Sequence, residues 1–178
     1  MPALLRDLAT DVLQFNQTMV DQVAPVMGKV TDALQRSGAQ QIIDLCSGGS
    51  GPLLKLVEHL EEDGRAVPVL MTDKFPNRGA FETIKERSGG RIDFSSEPVD
   101  ATAVPSALVG LRTLFNGFHH FRPAVARKIL EDAVNDRQPI AVFEFIHRSP
   151  IAMLGIVMAA FIILPLAIPE AGLAPLAR

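Results

Sequence analysis

Two groups of residues in this chain have the types and spacing to do chemistry. One is the stretch Asp44-Leu45-Cys46-Ser47-Gly48-Gly49-Ser50-Gly51, which follows the apolar run Ile42-Ile43 and precedes Leu53-Leu54-Lys55-Leu56-Val57. Glycines in such a loop tolerate positive φ and leave no side chain in the way, so backbone N–H groups can approach a ligand closely. The helix that follows adds the favourable dipole of its N-terminus. This chemistry suits a nucleotide-type cofactor. Cys46, Gly48 and Gly51 occupy the three glycine positions of G-x-G-x-x-G, so a dinucleotide site is one reading and an ordinary strand-to-helix turn the bland one. The other group is Asn116-Gly117-Phe118-His119-His120-Phe121, whose imidazoles can take a proton near neutral pH. The bland alternative is that His119 caps or packs while His120 starts the next helix.

Elements of regular period must position these groups. The run ending at Asp44-Leu45 reads as a first strand, and Val67 to Thr72 as a second that ends in Asp73, 22 residues beyond Gly51. A carboxylate at that tip is placed to accept both ribose hydroxyls of an adenosine, with Lys74 beside it; a helix cap before Pro76 is the plain alternative. A helix from about Asn77 to Arg87 leads to a third strand near Ile92 to Ser95, then to Asp100-Ala101, which could equally be a turn. Leu108 to Phe115 reads as a fourth strand running into Asn116 and the histidines, where open α/β sheets place ligands. Pro123 opens a helix to Asn135-Asp136, and Pro139 to Ile146 reads as a fifth strand carrying Glu144, an acid that must be paired or reach the strand's open end.

Strands alternating with helices imply right-handed crossovers. The expected fold class is α/β, a Rossmann-like doubly wound, mostly parallel sheet of order 3-2-1-4-5 with helices on both faces. Residues 3 to 37 read as two amphipathic helices broken near Ala24-Pro25. The expected division is a helical cap over 1–38, the cofactor-binding domain over 39–148, and an apolar helix and tail over 149–178. Within the tail, Ile151 to Ile168 is 18 residues without a charge, the minimum for a membrane span, although Pro165 would break such a helix. A buried or lid helix and a membrane contact are both open.

Composition narrows the function. At 178 residues the chain suits one domain with a sizeable core. A net charge of −3, with no Trp and no Tyr, argues against a nucleic-acid partner. A single Cys excludes an internal disulfide framework, and no Cys/His cluster has zinc spacing, so no metal is expected. The N-terminus has an early acid, Asp7, and no long apolar core, so the expected location is the cytoplasm, with membrane association through 151–168 as the variant.

Asp44-x-Cys46-x-Gly48-x-Ser50-Gly51 resembles motif I of the class I S-adenosylmethionine-dependent methyltransferases. Asp73 matches the ribose-binding acid, and Asp100-Ala101 resembles motif III, which commonly faces the adenine amino group. Phe118 to Phe121 and Glu144 resemble segments of small-molecule methyltransferases, notably the ubiquinone/menaquinone type. The likeness spans residues 40 to 147, and the chain also looks like bacterial methyltransferase-domain proteins of unassigned substrate. It implies S-adenosylmethionine as cofactor, held by Asp44, Cys46, Ser47, Gly48, Gly49, Ser50, Gly51, Asp73, Lys74, Asp100, Ala101 and Asn116. His119 or His120 would be the base, and a small, apolar molecule the methyl acceptor.

Two departures bear on that likeness. Cys46 and Ser50 stand where the pattern most often has glycine, which is tolerable if their backbone angles are ordinary. The family's last two strands are not legible after residue 148, which suggests C-terminal truncation, with the strand-five edge covered by the tail or by a second subunit in a homo-oligomer. Three other functions stay open: an NAD(P)-dependent oxidoreductase, a noncatalytic cofactor-binding or assembly domain, and a membrane-attached protein.

Overall fold

A computed structural model describes residues 21–49 and 52–144. The first helix expected upstream of Ala24 and the tail 149–178 lie outside the described residues, as do Ser50 and Gly51. Among the described residues no helix is long and apolar enough to cross a membrane.

The chain runs through a 3-10 turn at Ala24–Val26, α1 (Met27–Ser37), β1 (Ile42–Leu45), α2 (Leu53–Glu62), β2 (Val69–Thr72), α3 (Arg78–Arg87), β3 (Ile92–Phe94), β4 (Leu111–Phe115), a second 3-10 turn at Phe118–His120, α4 (Pro123–Asn135) and β5 (Ile140–Phe143). The five strands form one sheet of order β3-β2-β1-β4-β5, every pair parallel. This is the expected order. Hydrophobic periodicity carried it, because each amphipathic helix must return the chain to the same edge.

The strands' two-residue period divides the core. Ile42, Val69, Met71, Leu111 and Phe143 face α1, α2 and α3, whose Val30, Leu34, Leu56, Leu60, Phe81 and Ile84 are buried with them. Ile43, Leu45 and Leu114 face the other way, toward Ile129 of α4 and the loop residues Val99, Ala101 and Val104. Helix ends follow local chemistry. The Asn77 side chain accepts the Ala80 N–H at 3.3 Å to cap α3, and Gly38, with φ of 67°, closes α1.

The strands are shorter than periodicity alone implies. Pro68 and Pro139 lend only their carbonyls, to Ile42 and Arg112, so β2 and β5 start after them. Before β4, Leu108 turns back to Pro105, and the strand begins beyond Gly110. A Cβ on Gly110 would stand 2.5 Å from the Gln41 carbonyl oxygen, which itself accepts the Leu111 N–H at 2.9 Å. Gly110→Ala is therefore expected to force β4 away from β1 and to destabilise the fold by about 1–3 kcal/mol, read as a shift of the urea midpoint.

Candidate functional site

Asp44 is the third residue of the central strand and lies opposite Thr113 of β4 in register. Its carboxylate is buried and takes two hydroxyl hydrogen bonds, from Thr113 at 2.8 Å and from Ser47 at 2.6 Å. Thr72 Oγ1 donates to its backbone carbonyl at 2.8 Å. Burial pushes the Asp44 carboxyl up to about 7, against the opposing pull of those two hydroxyls. The hydroxyls thus satisfy the acid without a counter-charge, and in doing so they tie β1, β4 and the loop into one unit.

The loop leaves β1 through Cys46, whose φ is 58°. That is the left-handed region, so the cysteine does not have the ordinary backbone angles that would make it an easy replacement for glycine. The conformation costs about 1–2 kcal/mol for a residue with a Cβ. It turns the chain so that the Ser47 N–H reaches the Thr72 carbonyl at 3.0 Å and the Gly48 N–H reaches Asp73 Oδ2 at 3.0 Å. Gly48 is also left-handed, at 53°, and Gly49 follows in the turn. Asp73 Oδ1 meanwhile accepts the Phe75 N–H at 2.8 Å. Phe75, 68% exposed, thus projects from the same tip as the acid.

Lys74 and Asp100 face each other, with Nζ 2.7 Å from Oδ2. The other carboxylate oxygen of Asp100 accepts the Thr102 N–H at 2.9 Å and hydroxyl at 2.8 Å, closing a turn. The Lys74 hydrogen bond, with the two from Thr102, holds the Asp100 carboxyl down to about 2. Ala101 is buried in the core beside Val99 and Val104. The alternative reading of Asp100-Ala101 as a turn is therefore its local geometry.

At the end of β4 a second left-handed residue, Asn116 with φ of 53°, redirects the chain as Cys46 does on β1. Its side-chain amide donates to Gln22 Oε1 at 3.1 Å, and its N–H to the Phe143 carbonyl at 2.9 Å. Gly117 then passes close to the loop, since a Cβ there would stand 3.7 Å from Cys46 Cβ. Phe118–His120 is a short 3-10 turn, and Glu144, at the end of β5, holds it. One Glu144 oxygen accepts the N–H groups of Phe118 at 2.7 Å and His119 at 3.2 Å; the other meets His119 Nδ1 at 2.5 Å. The His120 ring stacks obliquely on His119 at 4.0 Å, and burial, followed by the neighbouring imidazole, depresses its pKa.

Cys46, Ser47, Gly48, Asp73 and Asn116 thus come together at the carboxyl ends of β1, β2 and β4, with the Lys74–Asp100 pair beside β2. Ser50 and Gly51 lie outside the described residues. Partners that sequence reasoning passed over are Thr72 and Thr113, hydroxyls inside apolar strands, and Gln22 and Phe75. The two threonines carried a legible signal, because a hydroxyl in a buried strand needs a polar partner. Among the described residues no group of three His, Cys, Asp or Glu is gathered as a metal site would need.

Neither a family model nor a curated protein matches the sequence. Solved structures do resemble it. An O-methyltransferase family protein from Burkholderia thailandensis superposes with a TM-score of 0.50 at 21% identity, over 77% of this chain and 40% of its own. A candidate O-methyltransferase from Nostoc punctiforme gives 0.48 at 16% identity, over 80% and 43%. A Burkholderia thailandensis protein bound to S-adenosyl-homocysteine gives 0.42 at 19% identity, over 59% and 25%. This chain spans two fifths of the length of the first. At such identity the likeness is one of fold, the Rossmann-like sheet of the class I methyltransferases.

Proposed function

We propose that this chain binds S-adenosylmethionine and takes part in methyl transfer to a small, apolar acceptor, in the manner of the ubiquinone/menaquinone type. The observation that carries this reading is the sign of the charge around the loop. Burial and then the carboxylates Asp73, Asp44 and Asp100 push the Cys46 thiol up to about 12, so the field at the loop is negative. A negative field favours a cationic sulfonium and opposes the pyrophosphate of a dinucleotide. It also keeps Cys46 a protonated, unreactive thiol.

The donor set fits the cofactor. Each Asp73 oxygen accepts one backbone N–H in the structure and keeps lone-pair capacity for a ribose hydroxyl. Phe75 offers an exposed ring face to a base. Asp44 fixes the loop through Ser47. The bound cofactor supplies the activated methyl group.

His119 is the better placed of the two candidate bases. An ionised Glu144 can only accept, so the His119 proton sits on Nδ1, and Nε2 keeps its lone pair for an acceptor proton. His120 is held against the His119 ring and contributes packing, its depressed pKa favouring the neutral imidazole.

Calorimetric titration of the full chain with S-adenosylmethionine, S-adenosylhomocysteine and NADH tests the reading. Saturable binding of the two sulfur compounds is expected. Asp73→Ala, checked for folding by its thermal transition, should weaken binding about 10- to 150-fold, the worth of hydrogen bonds to a charged group. No binding by the folded chain, or a preference for NADH, overturns the proposal.

A further inference from the structure

The stretch Asp21-Gln22-Val23 links α2 to the carboxyl end of β4. Val23 is fully buried in the core. The Asp21 carboxylate leads the chain into the Ala24–Val26 turn, with Oδ1 accepting the Val23 N–H at 3.1 Å and the Ala24 N–H at 3.0 Å. Its other oxygen meets His59 Nε2 of α2 at 2.7 Å, and His59 Nδ1 meets Glu62 Oε2 at 3.1 Å. A ring with a carboxylate on each nitrogen donates on both sides only as the imidazolium. The Asp21 hydrogen bond, against the cost of burial and with help from Glu62, raises the His59 pKa above its ordinary 6.5. Lys55, one turn earlier on α2, is the cation that also acts on Asp21 and Glu62, and its Nζ lies 2.6 Å from Glu58. Between the two anchors Asp21 and Val23, Gln22 Oε1 accepts the Asn116 side-chain amide at 3.1 Å.

We propose that Gln22 is a positioning residue for Asn116, and that the Asp21–His59–Glu62 contact is a proton-dependent clasp holding it there, so that cofactor binding weakens when His59 loses its proton. The inference rests on the reading of the site as one for S-adenosylmethionine. A neutral His59 has one N–H to share between two carboxylates and no charge to attract either. Asp21 then keeps its two backbone hydrogen bonds but loosens from α2, and Gln22 is held chiefly through buried Val23. The sign follows from the direction of the shift: the clasp is complete below pH 6.5 and is lost as pH rises through the higher, folded-state value. The side chains of Asp21 and His59 are 35% and 25% exposed, which limits the effect on affinity to about twofold to fivefold.

Two measurements on the full chain test the proposal, the first without cofactor. An NMR titration of the histidine rings and of the Asn116 side-chain amide is expected to give His59 a midpoint above 6.5 and the amide a step at that same pH. Asp21→Asn should bring the His59 midpoint down toward 6.5. The shared step should vanish in His59→Gln, which cannot titrate, and in Gln22→Ala, while any step that follows His119 or His120 persists. An Asn116 amide with no step at the His59 midpoint, or with one that survives His59→Gln, overturns the clasp. The second measurement is calorimetric titration with S-adenosylmethionine on either side of the midpoint. Affinity is expected to fall about twofold to fivefold more in the natural chain than in His59→Gln as pH rises. Equal pH dependence in the two proteins overturns the link to the cofactor. No binding at any pH, with the NMR step intact, overturns the functional reading and that link together and supports the clasp itself.

Discussion

Asp44→Asn is expected to raise the stability of the cofactor-free protein at pH 8 by up to about 4 kcal/mol and to leave it nearly unchanged near pH 4. Burial raises the Asp44 carboxyl from 3.8 to about 7 in the folded chain. Between those values the folded state keeps a proton that the unfolded state has lost. Stability therefore falls as pH rises through this window, because the folded state binds more protons. Above about 7 the carboxylate is ionised in both states, and the whole difference has been spent. Asparagine has the same shape and does not ionise. The Ser47 and Thr113 hydroxyls, each able to donate or accept, can turn to meet its amide. Denaturant titrations of both proteins from pH 4 to 8 should show a wild-type curve that declines and a flatter variant curve. Parallel curves would mean that Asp44 is ionised throughout. The loop acid of the candidate site would then be a stabilising group rather than a strained one.

Arg112→Ala is expected to destabilise the fold by about 3–5 kcal/mol. Arg112 is buried in β4 and reaches up to α4, where Nη1 meets Asp132 at 2.9 Å and Nη2 meets Asp136 at 2.6 Å. Those carboxylates are themselves only 18% and 27% exposed. Removing the guanidinium leaves them facing each other without a cation, over the space the long side chain had filled. Arg112→Lys should recover only part of the loss, since one ammonium does not reproduce a fork that spans two carboxylates. Chemical denaturation of the three proteins checks both statements. A loss below about 1 kcal/mol for the alanine variant would mean that water satisfies the acid pair, and that α4 is held by its apolar face alone.

The order of elements and the parallel sheet were legible in the sequence, because both follow from local period and from the handedness of crossovers. The glycine loop, Asp73 and the histidine pair were legible as candidates for the same reason, being residues of special type at the ends of apolar strands. The start of β4 was not. Leu108 and Val109 continue the apolar run, and only the approach of the Gln41 carbonyl to Gly110 shows where pairing begins.

Partnerships were decided by the tertiary structure alone. Thr113 is 69 residues from Asp44, and Glu144 is 25 from His119, separations at which sequence carries no distance information. Arg112 is paired because α4 folds over it and brings Asp132 and Asp136 into reach, 20 and 24 residues further along the chain. The backbone of Cys46 is the sharpest case. Its residue type predicts ordinary angles, yet its hydrogen-bonded neighbours Ser47 and Gly48 pull it into the left-handed region. Sequence by itself determined which elements form and in what order, since those depend on neighbours along the chain. The three-dimensional packing decided which charges are paired, which acid is raised and which glycine is indispensable, since those depend on neighbours across it.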